Sequence, residues 1–313
     1  VVDVETFRAL ARSSPWLWSS VRLTRTMVGR DDGERVRAWI RRPGLMRVEY
    51  IEPSSRPPYV VDERDDLRRG RAAMSVVLDP EAVPDPGAVP GVAPRRGEEI
   101  GRYVPLPQPE QEAPQGSGLP QPAEFPASLD PGAPQAEFPD PRDRQAPQPL
   151  RRPDGLVERR PDDSIGDDDD PMHQNYYWVA MLDPVELADG ADLDDEPPAT
   201  GERPTGVEIL ELQEADRLGR PTLIATVRPA SAYDPRCSCC PLLFNDVTVA
   251  ILREEGGPLP DPLPKFADAH RVALDRQTGI CVSIHDVGGD ADGEGFDVVI
   301  EEVDVDYPDA MLR

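Results

Sequence analysis

The chain has 313 residues, of which 39 are proline and only 38% are hydrophobic, and it carries a formal net charge of −26. That charge excludes nucleic acid and anionic membrane surfaces as partners, since both demand a basic footprint. No run approaches 18 apolar residues, so integral membrane insertion through a helix is not expected.

All but one of the 34 basic residues are arginine, which reads as the coding bias of a GC-rich genome. The acid excess reads as solubility in a concentrated cytoplasm. Val4, Phe7, Leu10 and Ala11 recur at helical spacing, with Asp3 placed to cap the helix and Pro15 to end it. The opening VVDVETFRAL lacks the basic and apolar segments of a secretory signal. A cytoplasmic location is therefore expected for the chain as given, or the cell envelope if a signal segment precedes Val1. After Trp16 and Trp18, Val21 to Val28 begins as a strand, and Asp31, Asp32 and Gly33 supply a turn.

In RVRAWIRRPGLMRVEYI (35–51), Val36, Ala38 and Ile40 alternate against Arg35, Arg37, Trp39 and Arg41. Past the turn at Pro43 and Gly44, Met46, Val48 and Tyr50 alternate against Arg47, Glu49 and Ile51. A period of two predicts antiparallel strands with one covered face and one wet face. Tyr59 to Asp62 adds a short strand.

From about Asp79 to Pro171 the chain is proline, glycine, glutamine, alanine and acid, too poor in large apolar residues to fold. The repeat AEFP at Ala123 to Pro126 and Ala136 to Pro139 offers Phe125 and Phe138 as docking points for a protein partner, or is coincidence within low complexity. The acidic run Asp167 to Asp170 is expected to stay solvated. The expected organisation is one body formed by 1–78 and 171–313, interrupted by a disordered insert at 79–170.

Beyond the insert, HQNYYWVAMLDPVELADG (173–190) holds the densest aromatic cluster, and Pro184 is placed to open a short helix ending at Gly190. Val207 to Leu212 and Thr222 to Val227 predict a hairpin around Leu218, Gly219 and Arg220. Leu242 to Glu255 predicts an amphipathic helix stopped by Gly256 and Gly257. Arg271 to Leu274, Ile280 to His285 and Phe296 to Val305 predict three closing strands, separated by turns at Asp275 to Gly279 and Gly288 to Gly295.

RAWIRRPGLMRVEYIEP followed by YVVDERDD resembles the lipoprotein-carrier superfamily that includes LolA, LolB, LppX and the N-terminal domain of RseB. GRPTLIATVRP, HRVALDRQTGICVSI and FDVVIEEV resemble that family's late strands, including its Asp-x-x-Thr-Gly hairpin turn. The resemblance implies an α+β fold: a strongly curved antiparallel half barrel covered by a few helices, with a cleft for acyl chains or apolar protein segments. On that basis Val36, Ala38, Ile40, Met46, Val48, Tyr50, Val272, Leu274, Val282 and Ile284 would line the cleft. Arg47 would either meet a ligand head group or pair with Glu49 or Glu52.

Other chemistry is sparse. Cys237, Cys239 and Cys240 in RCSCCP have the flavour of a metal site, but C-x-C-C is not the C-x-x-C spacing of zinc. Cys281 and His285 would have to join from a distant strand; otherwise the three form a local thiol cluster or, oxidised, a disulfide. DADGEGFDVVIE (290–301) fits an EF-hand calcium loop in its acid spacing. It lacks the preceding helix and runs into an alternating strand, so it reads as a hairpin turn. His270 lies beside Asp268 as a candidate dyad with no motif tying it to a nucleophile. A non-enzymatic binding protein without a cofactor is the expectation, or a regulatory scaffold acting through the insert.

Overall fold

The computed structural model describes residues 2–29, 33–52, 56–64, 148–161, 170–191 and 204–313. Helix α1 spans Val4–Ser13; Asp3 caps it by accepting the Thr6 backbone N–H at 2.8 Å, with Glu5 in its first turn and Arg12 in its last. Phe7, Leu10 and Ala11 are its buried face, and the chain passes Pro15 in a 3-10 turn, Ser14–Trp16.

Four strands follow: β1 Ser20–Val28, β2 Arg35–Arg41, β3 Leu45–Glu52 and β4 Tyr59–Asp62. A small hairpin, β5 Leu150–Arg151 and β6 Val157–Arg159, precedes helix α2, Tyr176–Leu182. Then come β7 Val207–Arg217, β8 Arg220–Pro229, helix α3 Asp246–Glu254, β9 Ala269–Asp275, β10 Cys281–Val287 and β11 Gly295–Val303.

Apart from β5 and β6, which pair with each other, the strands form one nine-stranded antiparallel sheet in the order β4-β3-β2-β1-β11-β10-β9-β8-β7. The two ends of the chain meet where β1 pairs with β11, Thr24 opposite Val299. β4 and β7 are its outer strands, so the sheet is open. The β7–β8 connection is the two-residue turn Leu218–Gly219, both at positive φ, whose twist matches that of a hairpin.

The alternation read from the sequence sets the two faces. Val36, Ala38, Ile40, Met46 and Val48 point inward and are fully buried, and Val272, Leu274 and Phe296 join them from the late strands. Phe7 and Leu10 of α1 and Trp178, Met181 and Leu182 of α2 complete this main core. The turn after β9 sits hard against α1: Gly279 has φ +71°, and a Cβ there would lie 2.8 Å from the Leu10 carbonyl oxygen.

Several expectations are corrected. Trp39, read as lying on the wet face, is covered by Leu45, Tyr307 and Leu312 in a second small cluster, with Arg41 holding the Tyr307 carbonyl and the Asp309 carboxylate. The tract Asp79 to Pro171 contains the ordered β5–β6 hairpin, seated on α1 by the Val157 N–H to Ser13 Oγ bond at 2.7 Å. Asp170, expected to be solvated, is buried against Arg42 through two 2.7 Å bonds. The cluster Tyr176 to Met181 is itself the helix, capped by Asn175, while Pro184 precedes only a 3-10 turn, Val185–Leu187. Helix α3 starts at Asp246 rather than Leu242, because Asn245 and Thr248 form a capping box there. Asp31, Asp32, Asp167, Phe125, Phe138 and both AEFP repeats lie outside the described residues.

Candidate functional site

The ten residues assigned to a ligand cleft converge on one face, and that face is filled. Val36, Ala38, Ile40, Met46, Val48, Val272 and Leu274 are 0% exposed, Val282 and Ile284 nearly so, and Tyr50 is half-buried. They share one buried cluster with the molecule's own helices, through Phe7, Leu10, Trp178, Met181 and Leu182. Arg47 lies on the opposite face, because its neighbours Met46 and Val48 point inward. It bonds Glu49 at 2.9 Å and the Arg313 carbonyl at 3.0 Å, so the head-group assignment is corrected in favour of the strand-surface pair.

The most chemically pointed arrangement is the loop Tyr233–Leu243. Cys237, Cys239 and Cys240 place their sulfurs within 4.8 Å of one another, with 2.9 Å between Cys237 and Cys239 and 3.8 Å between Cys239 and Cys240. All are unpaired thiols; Cys239 is exposed, Cys237 half-buried and Cys240 buried. Hydrogen bonding from Cys240 and Cys239 draws the Cys237 thiol well below its ordinary pKa. Cys240 is driven up by its bond to Cys237 and by burial.

Buried carboxylates hold this loop in shape. Glu186, 1% exposed, accepts the Tyr233 hydroxyl at 2.5 Å and the Leu242 N–H at 2.8 Å on one oxygen, and the Arg236 N–H at 3.0 Å on the other. Burial raises its pKa against those three bonds. Asp183 binds the guanidinium groups of both Arg160 and Arg236; burial pushes its carboxyl up, but the two arginines outweigh that and hold it low. The Cys240 N–H bonds the Cys237 carbonyl at 3.3 Å, closing the turn that gathers the sulfurs.

Cys281 and His285 do not join the thiols. Cys281 is buried in β10 with its sulfur on the Ser283 carbonyl, and His285 bonds Asp297 at 3.0 Å and the Gly293 carbonyl at 3.2 Å. His270 pairs with Asp286 at 2.7 Å across β9–β10 rather than with Asp268, since register places those two residues opposite each other. The loop at 290–301 is a hairpin turn leading into β11, with Asp292 accepting the Gly288 N–H and Asp290 the Lys265 N–H. A groove of about 290 Å³ lies along β7–β9, lined by residues including Glu211, Gln213, Thr226 and Arg271.

Sequence reasoning missed Glu186, Asp183 and the Arg42–Asp170 pair. Glu186 stands about fifty residues before the cysteines, and its one local signal is a lone acid between apolar residues in PVEL. Comparison with protein families, curated proteins and solved structures gives no match to this chain.

Proposed function

We propose that the chain is a non-enzymatic binding protein that holds an apolar ligand, an acyl chain or an apolar protein segment, between its sheet and its helical cover. The sheet in this reading has the strong curvature of the lipoprotein-carrier half barrels that its motifs resemble. What supports it is the continuity of one apolar face across strands from both ends of the chain, covered by helices rather than by a second sheet.

Because that face is filled, a ligand must displace part of the cover. In this reading the seven-residue helix α2, the shortest α-helix among the described residues, moves aside to open it and exposes Trp178, Met181 and Leu182. Exposing three large side chains costs about 1.5–3 kcal/mol each, and each methylene that replaces them returns about 0.8 kcal/mol. A ten-methylene chain nets between about −1 and +3.5 kcal/mol, weaker than millimolar over the whole of that range. A sixteen-carbon chain gains about 3–7 kcal/mol net, a millimolar to ten-micromolar binder. Length selectivity is the signature of this exchange.

Native mass spectrometry of the intact chain should show an acyl-bearing adduct. Titration with hexadecanoate should move tryptophan emission saturably, while decanoate should not. No adduct together with no saturable change below the micellar concentration defeats the proposal.

A further inference from the structure

We infer that the Tyr233–Leu243 loop is a binding site for a thiophilic ion of low coordination number, monovalent copper in chemical class, held by Cys237, Cys239 and Cys240. The inference is independent of the apolar-ligand reading, since Cys237 and Cys239 lie outside the buried core and Cys240, although buried, is not part of the main core cluster.

The geometry carries it. Three sulfurs bonded to one ion at about 2.3 Å must stand roughly 4 Å apart. These three, within 4.8 Å of one another, need only small side-chain rotations to do so. The ligand set is thiol alone: among the described residues no histidine, carboxylate or fourth cysteine joins the group. A structural zinc site closes with four ligands, whereas an all-sulfur set short of four suits a soft monovalent ion. Ser238, between two of the ligands, turns away to bond Glu255, which leaves the sulfurs to converge on their own side of the turn.

The cost of gathering three thiols is already met by the fold. Glu186 grips the loop at Tyr233, Arg236 and Leu242, on both sides of the cysteines, and Arg236 is tied again to Asp183. Preorganisation of this kind converts directly into affinity. Exposure of Cys239 beside a buried Cys240 gives the ion a route in and a dry inner side once bound.

The test is anaerobic titration of the reduced full-length chain with Cu(I) presented by a chromogenic competing chelator, alongside iodoacetamide labelling read by mass spectrometry. The expected result is one Cu(I) withdrawn per chain, with Cys237 and Cys239 protected from alkylation. Cys239→Ser, a surface change, should weaken uptake ~100-fold or more, beyond what loss of an outer partner costs. Cys281→Ala should leave the stoichiometry at one. Uptake unchanged in Cys239→Ser overturns the site, as does alkylation unaffected by Cu(I). Zn(II) held more tightly than Cu(I) by the same thiols overturns the ion class.

Discussion

Glu186 holds three backbone and side-chain donors with two oxygens in a fully enclosed position, and an ionised carboxylate suits that role because it only accepts. Glutamine at this position has one accepting oxygen and turns its amide against either the Arg236 N–H or the Leu242 N–H, leaving that donor unmet. Glu186→Gln should therefore cost about 1–3 kcal/mol, the penalty for an unsatisfied buried donor. Chemical denaturation measures the loss, and labelling of Cys239 should quicken as the loop loosens. Unchanged stability and labelling would show that the clamp is incidental. Arg42 illustrates the same economy of donors: one guanidinium binds Asp170, three carbonyls (Ser14, Pro15 and Trp18), and the face of the Trp18 ring at 3.4 Å.

The β5–β6 hairpin is an element whose weight far exceeds its five strand residues. Val157 is fully buried while Leu150, on the partner strand, is half-exposed, and Arg160 beyond it reaches the Arg12 carbonyl at 2.9 Å and the Asp183 carboxylate. Val157→Asp places an unpaired charge against α1 and should cost several kcal/mol. Leu150→Asp should leave the thermal midpoint within a degree or two. Equal midpoints for the two variants would mean that the hairpin does not contribute to the core. The hairpin was illegible in the sequence because Leu150, Leu156 and Val157, set amid proline, acid and arginine, carry no periodicity; its place is set by tertiary partners, not by pattern. The central strands were legible for the opposite reason. In β2 and β3 every second residue is apolar and most residues between them are charged (Arg35, Arg37, Arg41, Arg47 and Glu49), so one register alone buries the apolar set. Trp39 and Leu45, apolar exceptions among the intervening residues, are the ones the tail covers. Helix α2 fell between these cases: YYWVAML is apolar on all sides, which fits buried helix and buried strand alike. The cysteine loop could be seen as a cluster but not as a shaped site, since Glu186 and Asp183 reach it across a span that no local spacing rule covers.

At the scale of the whole molecule, the acid side of the stability profile should be governed first by His173. Its ring is 1% exposed, boxed by Tyr50, Tyr59 and Trp178 at centroid distances of 5.8, 5.2 and 5.2 Å, and faces the positive charges of Arg25 and Arg56. Among the described residues neither ring nitrogen has a hydrogen-bond partner. Burial, with the two arginines adding to it, lowers its pKa to about 3. The unfolded ring takes its proton near 6.5, so between 6.5 and 3 the unfolded chain binds a proton that the folded chain refuses, and stability falls as the pH falls. The loss between pH 7 and pH 5 is about 2 kcal/mol. Asp183 acts lower down: its depressed pKa stabilises the fold above the ordinary carboxylate value of 3.8, and that contribution disappears only as the pH drops through the folded value. Above about pH 4 the Asp183 contribution is fully present, so comparison with His173→Phe between pH 7 and pH 5 isolates the histidine. Phenylalanine keeps an aromatic ring within the box and cannot titrate. The variant's unfolding free energy, followed by urea denaturation at pH 7 and pH 5, should drop by about 2 kcal/mol less than that of the native chain. Parallel pH profiles would mean that the ring reaches solvent or an acceptor when it is protonated, and the enclosed neutral histidine would have to be abandoned.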